Sequence, residues 1–138
     1  MAVLRFSSHE VRGPGGAKAV CLRLNGAVDA NTLDKFDQQL RELLEHRRVS
    51  VILDCQKLNF ICSAGLGKLI IFSDGCAGTG QFLALCRVRE GVKVVFDQLG
   101  LNSFLKVVAN EQAAFGPSAA SRSGKNRAVP PPPDGKGK

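Results

Sequence analysis

The chain has 138 residues and a formal charge of +7; 44% of its residues are hydrophobic and 22% are charged. That suffices for one domain with a single core and is too apolar for a chain disordered throughout. No apolar run has the length of a membrane helix and the N-terminus lacks a signal-peptide stretch, so a cytoplasmic protein without membrane insertion is expected.

The charge is unevenly placed. From residue 116 onward Arg122, Lys125, Arg127, Lys136 and Lys138 face only Asp134, a net +4, which leaves +3 for the first 115 residues. A mildly basic domain with a basic tail argues against direct nucleic-acid binding, which needs cations clustered on one face. The five cysteines (Cys21, Cys55, Cys62, Cys76, Cys86) include no C-x-x-C pair, and His9 and His46 stand in no ligand spacing. Buried thiols in a reducing compartment, with no metal and no cofactor, are the expectation.

In chain order, residues 2–7 read as a short strand, the Gly13–Gly16 cluster as a turn, and the alternating run at 17–24 as a second strand in an antiparallel hairpin. Asn31 or Thr32 can cap the next helix, whose apolar stripe runs Leu33, Phe36, Leu40, Leu43 and Leu44 to His46, with Asp34 in its first turn. Val49, Val51, Ile52 and Leu53 form a buried-strand run, followed by a polar turn and the step Phe60–Ile61. From Ser63 the apolar period turns helical through Leu66, Leu69, Ile70 and Ser73. A serine thus stands where a strand ends and a helix begins, a position whose free N–H groups suit an anion.

Glycines from 75 to 80 end that helix. Residues 81–87 read as another buried strand, Val88 to Leu99 as a helix closed by Gly100, 104–108 as a short strand and 111–115 as a helical stub. Beyond residue 116 the sequence is small, basic and proline-rich, ending AVPPPPDGKGK, and reads as a disordered tail on a domain spanning 1–115. Alternating strands and helices after Asn25 favour an α/β layer structure with a mixed sheet.

No catalytic constellation assembles. Ser63 has no G-x-S-x-G around it, Gly67–Lys68 is followed by Leu69 rather than Ser or Thr, and Gly75, Gly78 and Gly80 follow a helix instead of a strand. The chain is therefore not expected to be an enzyme.

Three stretches together resemble the bacterial STAS domains, and among them the anti-sigma-factor antagonists. They are Leu24-Asn25-Gly26-Ala27-Val28-Asp29, then Val51 to Asp54 with Leu58 to Ile61 and Ser63-Ala64-Gly65-Leu66-Gly67, then Val88 through Phe96-Asp97-Gln98-Leu99-Gly100-Leu101 to Phe104. The resemblance implies a mixed four- to five-stranded sheet with helices packed mainly on one face. It also implies a partner switch. The antagonist binds an anti-sigma factor with serine kinase activity, phosphorylation of the motif serine, here Ser63, abolishes binding, and a phosphoserine phosphatase restores it. Where many antagonists carry Asp or Ser before that serine, this chain has Cys62. Two other readings are a STAS scaffold in a stressosome-like or transport-associated assembly, with Ser63 unmodified, and a redox sensor at Cys62.

The expected partner surface takes in Asp29, Ala30, Asn31 and Thr32, the motif residues Cys62, Ser63, Ala64 and Gly65, and Lys68, Ile71 and Phe72 on the helix. Leu66, Leu69, Ile70 and Ser73 would face the sheet, which turns Ile71 and Phe72 away from it.

Overall fold

The computed structural model describes residues 3–116, so all but the first residue of the expected tail lies outside the described residues. The chain forms β1 (Leu4–Arg12), β2 (Lys18–Val28), α1 (Leu33–Arg41), β3 (Val51–Ile61), α2 (Ser63–Gly75), β4 (Leu83–Cys86), α3 (Glu90–Gln98) and β5 (Lys106–Val108). A π-helical turn at Glu42–His46 continues α1, and a short 3-10 helix at Gln112–Phe115 ends the described chain.

The five strands lie side by side in chain order, β1 antiparallel to β2 and each later strand parallel to the one before. The three crossovers through α1, α2 and α3 therefore all step in one direction. Because such crossovers are right-handed, all three helices fall on the same face. This is the mixed, one-sided α/β architecture expected from the sequence.

Two strands run longer than their apolar pattern. β1 continues through Ser7–Glu10, since an edge strand with an exposed face needs no alternating hydrophobes to keep its ladder with β2. The expected polar turn after Leu53 is in fact strand: β3 carries Gln56, Lys57 and Asn59 outward while Leu58 and Ile61 stay buried. β2 follows it through two register shifts. Gly26 sits at one of them with φ +126, and an added Cβ there would lie 1.9 Å from the Val3 carbonyl oxygen, so only glycine lets β1 begin there.

On the helix face, Leu22, Leu24, Leu53 and Leu85 pack with Phe36, Leu40, Leu69, Phe72, Val92 and Phe96. Burying side chains of this size contributes about 1.5–3 kcal/mol each. Among the described residues, the opposite face is covered only by the segment that ends at Phe115. Ala19, Ile52, Ala84 and Cys86 meet Ala114 there, and the Phe115 ring stands edge-on to Phe82 at 5.5 Å.

That second face also holds charge. Asp54 is only 2% exposed, 3.4 Å from Arg23 and 3.6 Å from Arg87, and Arg87 reaches Glu111 at 2.7 Å. Burial first, then the Glu111 and Asp54 carboxylates, push the Cys21 thiol up to about 11. Burial and Asp54 push Cys86 up to about 12. Cys55 and Cys76 are raised by burial as well. As expected, these four thiols are buried and free; Cys62 alone of the five is partly exposed.

Candidate partner-binding site

Ser63 and the Asp29 loop meet because β2 and β3 are parallel neighbours ending at the same level. Val28 pairs with Ile61, and the Cys62 N–H donates to the Val28 carbonyl at 2.9 Å. That bond keeps Cys62 extended (φ −78, ψ 167), so Cys62 is the N-cap residue and Ser63 the first residue of α2. Leu66 is the first to donate within the helix, to the Cys62 carbonyl at 3.0 Å. The Ser63, Ala64 and Gly65 N–H groups precede it and have no acceptor within the helix. The Ser63 side chain is exposed beside them.

The neighbouring loop is rigid by its own hydrogen bonds. Asp29 Oδ1 accepts from the N–H groups of Asn31 (2.9 Å) and Thr32 (3.2 Å), and the Thr32 hydroxyl donates to the Ala27 carbonyl at 2.7 Å. Such an Asx turn holds its tip without apolar packing. Ala30 and Asn31 are exposed at that tip and Asp29 is half-buried. Thr32 occupies the N-cap position of α1 without a side-chain capping bond, and it is 6% exposed.

Three residues expected at the surface are interior. Besides Thr32, Gly65 and Phe72 are buried, on a stripe with Leu66, Leu69 and Cys76. α2 is turned about its axis from the expected orientation because Gly65 lets its first turn press on the strand ends. A Cβ at Gly65 would lie 2.9 Å from both Ile61 and Val28. That rotation brings Phe72 into the core under α1, where Arg41 lies over its ring at 5.7 Å. Phe72 is therefore a core residue and not a partner contact.

The outward stripe holds Ser63, Ala64, Gly67, Lys68 and Ile71, spaced by i, i+4 along one side. Ile71 is 67% exposed, as expected. Lys68 pairs with Asp37 of α1 at 3.3 Å. Burial alone would raise the Asp37 carboxyl, but hydrogen bonds from Arg41 and Lys68 outweigh it and hold the group below its ordinary value. Phe60, 51% exposed near the end of β3, was not among the expected surface residues; an apolar pair, Phe60–Ile61, reads as core until strand alternation turns one of them outward.

A mixed five-stranded sheet with its three α-helices on one side, and an exposed serine opening the helix after its central strand, defines a class of small α/β domains. The STAS domain family model matches residues 9–114, and the chain belongs to that family. It is 29% identical over 95 residues to an anti-sigma F factor antagonist of Paenibacillus polymyxa, covering 68% of this chain and 81% of that one. In fold it is similar to an anti-sigma factor antagonist from Mycobacterium paratuberculosis, with TM-score 0.64, 15% identity, and 83% of this chain and 91% of the other covered. It is also similar to the Bacillus cell fate determinant SpoIIAA in its phosphorylated form, with TM-score 0.55, 17% identity, and 77% and 93% covered.

Among the described residues no helix is long and apolar enough to cross a membrane. One cluster escaped the sequence reading of metal ligands. The hairpin register sets His9 opposite Cys21, and Glu111 joins them from the far end of the domain.

Proposed function

We propose that this chain is an anti-sigma-factor antagonist that binds an anti-sigma factor with serine kinase activity through the Asp29–Asn31 loop and the outward stripe of α2. Phosphorylation of Ser63 switches it off and a phosphoserine phosphatase resets it. The observation that carries this reading is the exposed Ser63 hydroxyl at the opening of α2, flanked by a hydrogen-bonded loop that needs no partner to hold its shape.

A phosphate at Ser63 adds roughly −1.5 to −2 charges. The free N–H groups of the first turn stabilise it, so the fold is kept. The switch then acts at the contact itself, where a partner must desolvate a dianion beside Ala64 and Ile71. Regulation by occlusion, without refolding, is what the site's rigidity favours.

The test is capture by the cognate kinase with and without ATP. The unmodified chain should bind, ATP should release it, and mass spectrometry should place the phosphate on Ser63. Ser63→Ala should stay bound in ATP, and Ser63→Asp should bind more weakly. Kinase-dependent phosphate elsewhere with Ser63 untouched refutes the reading, and full binding by Ser63→Asp refutes occlusion.

A further inference from the structure

On the face of the sheet away from the helices, His9 of β1, Cys21 of β2 and Glu111 offer one nitrogen, one sulfur and one oxygen, all within 4.8 Å of one another. We propose that these three side chains form a zinc site that fastens the C-terminal cover to the sheet. The site lies on a different face from Ser63 and is independent of the partner-switch reading.

The donor set is the first argument. A thiolate, an imidazole and a carboxylate suit zinc, whereas magnesium and calcium prefer oxygen alone. Geometry is the second. Bond lengths of roughly 2.0–2.3 Å in a tetrahedron put neighbouring donors about 3.3–3.7 Å apart. Cys21 Sγ and Glu111 Oε2 already stand at 3.9 Å. His9 is exposed, which leaves its imidazole free to close the remaining gap onto the fixed, buried sulfur.

The surroundings hold the carboxylate in place. Glu111 Oε1 accepts from Arg87 at 2.7 Å, which leaves Oε2 turned toward Cys21. Partners of this kind orient metal ligands and strengthen the site. On binding, the Cys21 S–H bond breaks, the sulfur bonds to zinc and the proton leaves to solvent. Three protein ligands leave the fourth position to water.

The consequence is mechanical. His9 and Cys21 sit on paired strands, while Glu111 immediately precedes the 3-10 helix that places Ala114 and Phe115 over the sheet. Zinc would tie the chain's last described segment to its first two strands.

The experiment uses the full, tag-free chain, reduced and freed of metal by a chelator. Zinc titrated against a chromophoric competitor should bind at one equivalent and raise Tm, and cobalt(II) should give a thiolate charge-transfer band. His9→Ala, an exposed change that leaves the core intact, should weaken zinc binding about tenfold to a hundredfold or more. His46→Ala should bind like the parent, and Cys62→Ser should keep the cobalt band. Absence of the band, a band lost with Cys62→Ser, or parental affinity in His9→Ala would each overturn the proposal.

Discussion

On one side of the sheet, Leu22, Leu53 and Leu85 lie under three helices; on the other, Ala19, Ile52 and Ala84 meet little more than Ala114 and Phe115. The difference follows from connectivity, because three crossovers stepping the same way leave the second face without a crossover helix. A thin cover admits charge. Asp54 is buried, yet the side chain of Arg23 is 49% exposed and that of Arg87 35%, so desolvation falls on one member of each pair. The thick cover tolerates no such group, and its ion pairs, such as Lys68 with Asp37, stand at the rim between α1 and α2.

Deleting the same ring on each face is the strongest way to break this contrast. Phe72→Ala on the helix side should cost about 3–5 kcal/mol in urea unfolding. Phe115→Ala, half-buried on the other side, should cost about 1–2 kcal/mol. Equal losses would mean that the thin cover carries as much of the core as the helices do.

Asp54→Asn sharpens the comparison on the charged face. The asparagine carbonyl can still accept from the Gln56 N–H, now 3.1 Å from Asp54 Oδ1. Its cost should be about 1–2 kcal/mol, because the two guanidiniums left behind reach water. Thermal melts of Asp54→Asn, of Arg23→Gln and of the double variant would separate the pair from the packing.

A smaller effect lies in acid. The hydrogen bond from Arg87 outweighs partial burial and holds Glu111 below its ordinary 4.5. A carboxyl depressed in the folded state contributes its full stabilisation above the ordinary value and loses it as pH falls through the depressed one. Stability measured from pH 6 downward should therefore decline less steeply in Glu111→Gln than in the parent. Smallest of all, Ser63→Ala should change stability by no more than about 0.5 kcal/mol, since the side chain is exposed and caps nothing.

How legible these regions were in the sequence follows the same division. The helix face announced itself: Phe36, Leu40, Leu43 and Leu44 are buried at the spacing that marked α1. Ser63 at the strand-to-helix step was legible too, because the period changes there. The rotation of α2 was not, since it depends on Gly65 touching Val28 and Ile61, a contact that no periodicity encodes. α3 shows the same limit: within the expected helix Val88 to Leu99, Val92 and Phe96 are buried, whereas Val95 and Leu99 are exposed. The far face was the least legible. His9, Cys21 and Glu111 are ordinary residues at unrelated spacings until the hairpin register and the final segment bring them together.

The order of the strands has a consequence for how the molecule is made. Each strand pairs with the one synthesised just before it, from β1 through β5. The sheet can therefore grow at one edge as the chain leaves the ribosome, with no strand waiting for a distant partner. The Asp29 loop and Ser63 are complete once β2, β3 and the first turn of α2 are out, long before Ala114 arrives to cover the other side. The loop and the serine therefore take shape before the far side of the sheet is covered. Ala114 and Phe115 then decide when Ala19, Ile52, Ala84 and Cys86 on the far side stop being open to solvent.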